Sequence, residues 1–334
     1  MNLFDRAALS LIGAGTLTLI MTVVLVPVDR ETRAPDAEFL PPDAVPKVVS
    51  AEELRQERLR DKQPRYTTGA LLQAFSKIGY DFHAVRAGKR TVPRLFVTSL
   101  PRDMRQIRVA KQKKELFFKS VLPLVLHVNE QIRADRTRLI AVRKMKVNDQ
   151  KISAADQLWL AALADRYKAD RDDLSELSRR ADIIPPSLAL AQAAEESGWG
   201  TSRFVIEGNA LFGQWTVQGD KGIVPARRDA DRFHKIKAFE TLLDAVRAYA
   251  RNLNTHRAYR KFRSARAGFR QEGTSLDGLA LSSSLAKYSE RGDEYVKSLR
   301  RLIQGNRLEN LDRAKLSNKA DLQGRQMPSA NSAI

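Results

Sequence analysis

Two adjacent glutamates, Glu195 and Glu196, end a segment whose other residues are nearly all small or apolar. The segment reads PPSLALAQAAEESGWG from Pro185 to Gly200, and a run of leucine and alanine broken only by Gln192 is typical of a buried helix. At the C-terminal end of a helix the dipole is negative, and the two carboxylates repel one another, so both effects favour a protonated carboxyl. A carboxyl that holds its proton near neutral pH can act as a general acid.

The same segment also has an interpretation without catalysis. Glutamate is common at a solvent-exposed helix end, and helical spacing alone does not decide whether Glu195 or Glu196 faces inward. If one of them is buried beside Trp199, an apolar pocket with a tryptophan wall would keep it protonated. A general acid that cleaves a glycosidic bond requires that property. From residue types alone, both interpretations stay open.

The composition excludes several other kinds of chemistry. The chain has no cysteine, which excludes disulfides, thiolate catalysis and cysteine-bound metal sites. Its four histidines are His83, His127, His234 and His256, and they form neither an i, i+4 pair nor a His-Glu-x-x-His motif. A zinc enzyme is therefore not predicted. We expect neither a metal nor another cofactor.

The chain carries a large positive charge, with 58 lysines and arginines against 39 acidic residues and a formal net charge of +19. Such a surface attracts polyanions through long-range forces that salt weakens. Nucleic acid, anionic lipid and the carboxylates of cell-wall peptides are all candidates. Because the basic residues are scattered from Arg55 to Lys319 rather than gathered in one tract, a nucleic-acid partner is not predicted.

The elements that must hold the two glutamates are predicted to be helical. Apolar residues recur at three- and four-residue steps over residues 111–143, which predicts a long amphipathic helix. Ser153 is placed to cap a second helix, and further helices are predicted over residues 241–253 and 292–303. Residues 211–217 alternate as a strand does and would begin a small β-lobe. We therefore expect a mainly α fold with a small β component.

An apolar segment lies near the amino terminus. Residues 7–28 contain no charged residue, and about 20 consecutive apolar residues are enough to cross a bilayer. Because no small-residue cleavage site follows, we interpret residues 1–28 as an uncleaved transmembrane anchor in the inner membrane rather than as a signal peptide. The charges on its two sides are nearly balanced and do not decide its orientation.

The rest of the chain divides by composition into four parts. Residues 29–66 combine several prolines with mixed charges and are predicted to be a semi-rigid spacer. Residues 67–150 are predicted to be a helical region, of which residues 67–108 either pack on the catalytic body or form a partner site. Residues 151–306 are predicted to be the catalytic domain. Residues 307–334 contain few apolar residues and are predicted to be a flexible tail.

Several strings around the glutamates resemble known sequences. The string LAQAAEESGWGTS at residues 190–202, followed by NALFG at residues 209–213, is similar to the signature of the glucosaminidase domains in glycoside hydrolase family seventy-three, which includes flagellar-rod wall hydrolases and bacterial autolysins. The resemblance extends over roughly residues 92–306 to the Bax family of bacterial proteins that carry this domain. The segments that carry it are residues 117–132, 208–216, 252–256 and 288–292.

This resemblance implies a lysozyme-like fold, with a helical lobe and a small β-lobe, that cleaves the β-1,4 bond after N-acetylglucosamine in peptidoglycan. The family's catalytic acid is the glutamate directly before Ser-Gly-Trp-Gly, which is Glu196 here, and Glu195 would raise its pKa. A tyrosine motif near the end of the domain implies that Tyr288 is a second catalytic residue, with a positioning hydroxyl. The residues predicted to bind substrate are Gln192, Glu195, Trp199, Asn209, Phe212, Gly213, Trp215 and Tyr295. Of these, Trp215 could either stack on a sugar ring or simply pack.

The resemblance does not identify a second catalytic group. Many family members have a glutamate in the β-lobe, whereas residues 224–231 here offer only Asp229 and Asp231 as candidate acid or base. The acetamido group of the substrate could take this role instead. A muramidase or lytic transglycosylase, which shares the fold, and a wall-binding scaffold without turnover remain alternatives. Since the wall lies outside the inner membrane, a catalytic domain in the periplasm is expected. The sequence does not identify a protein partner.

Overall fold

Helices dominate the fold, as the composition predicts. The computed structural model describes residues 66–216, 222–223 and 235–318. The α-helices of this part of the chain are α1 Thr68–Lys77, α2 Phe82–Arg86, α3 Ala110–Val147, α4 Ala154–Tyr167, α5 Leu174–Arg180, α6 Pro186–Ser197, α7 Arg203–Gly208, α8 Leu242–Thr255, α9 Arg260–Gln271, α10 Gly278–Ser282 and α11 Asp293–Gly305. Short 3-10 helices span Arg102–Gln106, Arg257–Tyr259, Ser283–Tyr288 and Leu308–Leu311.

A small antiparallel sheet represents the predicted β component. Its strands are β1 Trp215–Thr216, β2 Gly222–Ile223 and β3 Lys235–Lys237, and β3 lies between the other two. The strand predicted over residues 211–217 is therefore confined to its last residues. Asn209 and Gly213 both have a positive φ, near 50° and 57°, so the backbone turns in the stretch where alternation predicted an extended chain.

Helix α6, which carries the two glutamates, lies in the middle of the core. Its residues from Leu188 to Ala194 are at most 1% exposed. It begins directly after Pro185 and ends where Gly198 adopts the left-handed conformation, so it lies within the segment predicted to be helical, and proline and glycine mark its two ends. Burial of every face explains why the sequence of this helix is apolar all round rather than amphipathic.

The other predicted helices are also present. The long helix expected over residues 111–143 is α3, which extends from Ala110 to Val147. Ser153 caps α4, because its hydroxyl accepts a hydrogen bond of 3.1 Å from the Asp156 backbone N–H. The predictions over residues 241–253 and 292–303 correspond to α8 and α11.

Residues on both sides of the predicted catalytic domain belong to the same core. Phe75 of α1 and Phe82 of α2 are buried in the cluster that also contains Leu188 of α6, so the region from residue 67 packs on the catalytic body. The prediction of a flexible tail from residue 307 is wrong for residues 307–318. Leu308 and Leu311 are fully buried, and these few apolar side chains are enough to fix the segment to the core.

Two features of the end segment attach it to the rest of the fold. Leu316 forms a parallel β-bridge with Val92. The Asp312 carboxylate accepts hydrogen bonds of 2.8 Å from the Ser187 backbone N–H and 3.0 Å from the Gly278 backbone N–H. Ser187 is in the first turn of α6, whose backbone N–H groups have no partner within the helix, so Asp312 satisfies one of them.

A buried group of charges holds the segment that precedes α6. Asp182 is 2% exposed, and its carboxylate accepts two hydrogen bonds of 2.9 Å from the Arg270 guanidinium. Arg136 of α3 lies 3.6 Å from the same carboxylate. The fully buried Arg266 donates to the backbone oxygens of Asp182 and Arg179. Arginine side chains from α3 and α9 therefore fix the start of the helix that carries the glutamates.

None of the helices in the described ranges is long and apolar enough to span a membrane. The predicted anchor at residues 1–28 and the spacer at residues 29–66 lie outside those ranges, apart from Tyr66.

Candidate active site

Glu196 occupies the last turn of α6 and faces the loop that follows α7. A Cβ atom placed on Gly213 would lie 3.3 Å from Glu196 Oε2, so the backbone of this loop passes directly over the carboxyl. Gly213 has a φ of 57°, a conformation that glycine adopts without the strain that other residues incur. The sequence therefore needs glycine here for two reasons, the backbone angle and the space beside the carboxyl.

Burial changes the protonation of Glu196. It raises the pKa of this carboxyl from 4.5 to about 7, and the negative charge of Glu195 adds to the increase. A hydrogen bond from Tyr295 acts in the opposite direction, as does the positive charge of Arg291. The result is a carboxyl that carries its proton on the acidic side of neutrality and can release it there.

A chain of hydrogen bonds leads from the core to Glu196. The Tyr249 hydroxyl donates to Gln192 Oε1 at 2.7 Å, and Gln192 Nε2 donates to the Tyr295 hydroxyl at 3.0 Å. The Tyr295 hydroxyl is in turn hydrogen-bonded to Glu196. Because Gln192 donates to it, Tyr295 is left to direct its own proton at the Glu196 carboxyl. Burial raises the pKa of Tyr295, so its hydroxyl keeps that proton.

Glu195 faces α11 and the loop before it, which hold its carboxylate. Its carboxylate accepts hydrogen bonds of 2.7 Å from Arg291 and 2.9 Å from Ser298. Helical spacing left open which of the two glutamates faces inward. The structure places Glu196 beneath the loop that follows α7 and Glu195 in an ion pair. Arg291 is half exposed, so this pair lies at the rim of the site and is screened by solvent.

Glu196 lines an open cleft with a volume of about 1210 Å³. The Phe212 ring stacks on Tyr249 at 3.9 Å between ring centroids, and the Tyr288 ring lies parallel to that of Tyr295. The Tyr288 hydroxyl donates to the Phe212 backbone oxygen at 3.2 Å. The other side chains at the cleft come mostly from the end of α4, from β3, from α8 and from the loop before α11. They are Lys168, Gln214, Lys237, Phe239, Asp244, Arg247, Ala248, Arg251, Asn252, Thr255, His256, Tyr259, Ser289, Glu290 and Arg291.

The sequence matches the glucosaminidase family, described as mannosyl-glycoprotein endo-beta-N-acetylglucosaminidase, over residues 171–308. Protein bax of Escherichia coli (strain K12) is 33% identical over 216 residues, which make up 63% of this chain and 75% of that protein. The chain belongs to the Bax family of glucosaminidase-domain proteins. No solved structure matches it. Glu196, Gly213 and Tyr295 all lie within the matched residues.

Some residues predicted to bind substrate lie at this cleft of the Bax-family chain. Phe212 and Gly213 line it together with Glu196 and Tyr288. Tyr295 and Gln192 lie behind the wall, since Gln192 is fully buried and Tyr295 is 1% exposed. These two side chains therefore act on the cleft through Glu196 rather than through direct contact with a ligand.

Two predicted residues have structural positions instead. The Trp199 ring packs edge-on against Phe117 and Phe118 of α3 and does not wall the pocket of Glu196. Its φ of 59° turns the chain directly after α6, and this turn directs the indole to α3. Asn209 donates hydrogen bonds of 3.2 and 2.9 Å to the backbone oxygens of Phe239 and Glu240, so it joins the loop after α7 to the strand segment.

Three other residues predicted for the site have side chains outside the described part of the structure. Trp215 belongs to β1, but only its backbone is described, and Asp229 and Asp231 lie among the undescribed residues. Within the described lining, the carboxylates besides Glu196 are Asp244 and Glu290. No group of three histidine or acidic side chains that could hold a metal ion occurs in the described part of the chain.

Sequence reasoning missed three residues of the site, namely Tyr249, Tyr259 and Arg291. Tyr249 lies on the apolar face of α8, where spacing predicts only a core position. Tyr259 follows α8 in a short 3-10 helix, and its ring packs against Tyr288. Arg291 gave a detectable signal, because it stands inside the string YSERG at residues 288–292, one of the segments that resemble the family.

Proposed function

We propose that this Bax-family protein is a peptidoglycan hydrolase. It would act as an endo-β-N-acetylglucosaminidase, cleaving the β-1,4 bond after N-acetylglucosamine with Glu196 as the general acid. The observation that carries the proposal is the Glu196 carboxyl at the wall of an open cleft, with a pKa of about 7 caused by burial. The family match over residues 171–308 supports the substrate class. The mainly helical fold with its small sheet supports a lysozyme-like arrangement of a helical lobe and a β-lobe.

The chemical step follows from the state of Glu196. The protonated carboxyl donates its proton to the glycosidic oxygen as the bond from that oxygen to the anomeric carbon breaks. The departing sugar leaves with a hydroxyl group, and water supplies the hydroxyl of the new reducing end. Tyr295 stabilises the carboxylate that remains, because its hydroxyl hydrogen-bonds Glu196 and a hydrogen bond to the charged form favours that form.

The proposed reaction also needs a second group, which stabilises the positive charge that develops at the anomeric carbon as the bond breaks. Asp229 and Asp231 are the candidates that the sequence offers, and the acetamido group of the substrate is the alternative. Asp244 lines the cleft but already bonds Thr241 at 2.7 Å and pairs with Arg247 at 3.3 Å. A substrate-assisted reaction predicts that the double variant Asp229→Asn, Asp231→Asn keeps measurable activity. Complete loss of activity in a folded double variant would contradict it.

The location of the protein is also proposed. Peptidoglycan lies outside the inner membrane, so residues 7–28 would anchor the chain with the cleft in the periplasm. A reporter enzyme that works only in the periplasm, fused to the carboxyl terminus, is expected to be active. Activity of a reporter that works only in the cytosol would overturn this topology.

The test of the acid uses release of soluble fragments from purified peptidoglycan by the full-length protein. Glu196→Gln keeps the shape of the side chain and removes the proton, so we expect a loss of activity on the order of a hundred- to ten-thousandfold. Glu195→Gln is the matched control, because it removes the same charge from the neighbouring residue at the rim. A folded Glu196→Gln variant as active as the wild type would rule out this assignment.

The position of the cut bond distinguishes the proposed glucosaminidase from a muramidase or a lytic transglycosylase. Mass analysis of the fragments is expected to find N-acetylglucosamine at the reducing ends. Muramic or anhydro-muramic ends would instead identify a muramidase or a lytic transglycosylase. Binding to the wall without any fragment would identify a scaffold.

A further inference from the structure

The cleft of the proposed enzyme is rich in positive charge. Among its described lining residues, the basic side chains are Lys168, Lys237, Arg247, Arg251 and Arg291. The acidic side chains there are Glu196, Asp244 and Glu290. Glu196 is protonated over much of the acidic range, so the balance of charge in this cleft is positive. The cations come from α4, β3, α8 and the loop before α11, and thus surround the cleft rather than form one tract.

Two of these cations are already used by the protein. Arg247 pairs with Asp244 at 3.3 Å, and Arg291 pairs with Glu195 at 2.7 Å. By contrast, Lys168, Lys237 and Arg251 form no ion pair with a carboxylate of the described residues, although Lys237 lies over the Phe239 ring at 5.3 Å. All three are exposed and line the cleft. Their charges are therefore accessible to an anionic ligand in the cleft.

In the polysaccharide of the cell wall, the negative charge lies on groups attached to the sugars rather than on the sugar rings. N-acetylglucosamine itself is neutral, whereas the stem peptides attached to the neighbouring muramic acid residues carry several carboxylates. A glycan strand bound across Glu196 would place muramic acid on both sides of the cut bond, and hence its stems at the edges of the cleft. Ammonium and guanidinium groups are the usual partners of carboxylates in proteins.

We infer that Lys168, Lys237 and Arg251 form a binding site for stem-peptide carboxylates, so that the enzyme prefers glycan strands that carry anionic stems. This inference rests on the proposed function. It explains why cations without an ion pair among the described residues line a cleft whose proposed substrate is neutral at the cut sugar. It also assigns part of the large positive charge of the chain to recognition of the substrate rather than to a nucleic acid.

The test compares peptidoglycan samples that differ in the charge of their stems. In the first sample the stem amines are acetylated. In the second the amines are acetylated and the carboxylates are then converted to methylamides, which keeps the bulk of the peptide and removes its charge. The ratio of the two kcat/KM values is measured for the full-length wild type and for the double variant Lys237→Gln, Arg251→Gln.

The wild type is expected to prefer the anionic sample, and the double variant to lose most of that preference. An exposed ion pair contributes about 0.2–1 kcal/mol, so two pairs correspond to a preference of between about twofold and thirtyfold. The preference is also expected to decrease as salt is raised, because these charges are exposed. Lys111→Gln, Lys144→Gln is the matched control. It removes the same charge from exposed positions on α3 that do not line the cleft, and it is expected to keep the preference of the wild type.

The possible outcomes separate the inference from the function on which it rests. If the wild type cleaves neither sample, the proposed function fails. If it cleaves both equally, or if the control pair removes the preference as strongly as the cleft pair does, the hydrolase stands and the stem-peptide site is refuted. Equal cleavage of strands stripped of their stems by an amidase would also refute it, because those strands keep only the lactyl carboxylate.

Discussion

Replacement of Glu196 by glutamine should make the protein more stable at neutral and alkaline pH. The folded protein holds the pKa of Glu196 at about 7, against 4.5 for an ordinary glutamate. The contribution of this carboxyl to the free energy of unfolding is therefore fully present below about pH 4.5. It is lost as the pH rises through 7. One pKa unit corresponds to about 1.4 kcal/mol, so the loss amounts to about 3 kcal/mol by pH 8. Glutamine resembles the protonated acid and does not undergo this loss.

Urea unfolding at several pH values between 4 and 8 measures the effect. The free energy of unfolding of Glu196→Gln is compared with that of the wild type at each pH, because the difference removes the contribution of every other titrating group. We expect the two proteins to be similar at pH 4. The variant should then become more stable by about 3 kcal/mol at pH 8. A side chain that is costly to the fold is the expected mark of a catalytic group.

A difference between the two proteins that stays constant across this pH range would refute the reasoning, since it would mean that folding does not change the proton affinity of Glu196. Glu195→Gln is the control for the loss of a negative charge. Its carboxylate is bonded to Arg291 and Ser298, so this variant is not expected to gain stability at pH 8.

Three further substitutions test other parts of the site. Tyr295→Phe removes a hydrogen bond that lowers the pKa of Glu196, so the alkaline limb of the kcat profile should move to higher pH and kcat should fall about tenfold or more. Gly213→Ala places a methyl group 3.3 Å from Glu196 Oε2 at a positive φ, which should cost about 1–2 kcal/mol in thermal unfolding and reduce kcat. Asp182→Asn removes the buried partner of Arg270 and should lower the free energy of unfolding in urea by about 3–5 kcal/mol.

The helix that carries Glu196 could be predicted because its ends are encoded locally. Pro185 and Pro186 begin it and Gly198 ends it, and both signals act within one turn of the chain. The tail at residues 307–318 could not be predicted in the same way. It is fixed by Asp312, which caps α6 from the other end of the domain, and by a bridge from Leu316 to Val92. Contacts between residues so far apart in the chain leave no periodic signal.

The choice between Glu195 and Glu196 also depends on distant residues. Arg291 and Ser298 hold Glu195 outward, and both stand about a hundred residues further along the chain, which the spacing within α6 does not reveal. The resemblance to the family selects Glu196 as the proposed acid because it rests on the adjoining Ser-Gly-Trp-Gly. It gave less weight to Tyr295 than to Tyr288, whereas Tyr295 is the tyrosine that hydrogen-bonds the acid.

The balance of effects on Glu196 includes one residue that the sequence did not suggest. The expected repulsion by Glu195 does raise the pKa of Glu196, whereas Arg291, which pairs with Glu195, lowers it. Burial is therefore the main cause of the increase, and Tyr295 limits it. This opposition has a chemical use, because a carboxyl buried without a donor would hold its proton too strongly to transfer it. The Tyr295 hydroxyl stabilises the charge that appears on Glu196 once the proton has left, and Gln192 and Tyr249 keep that hydroxyl directed at it.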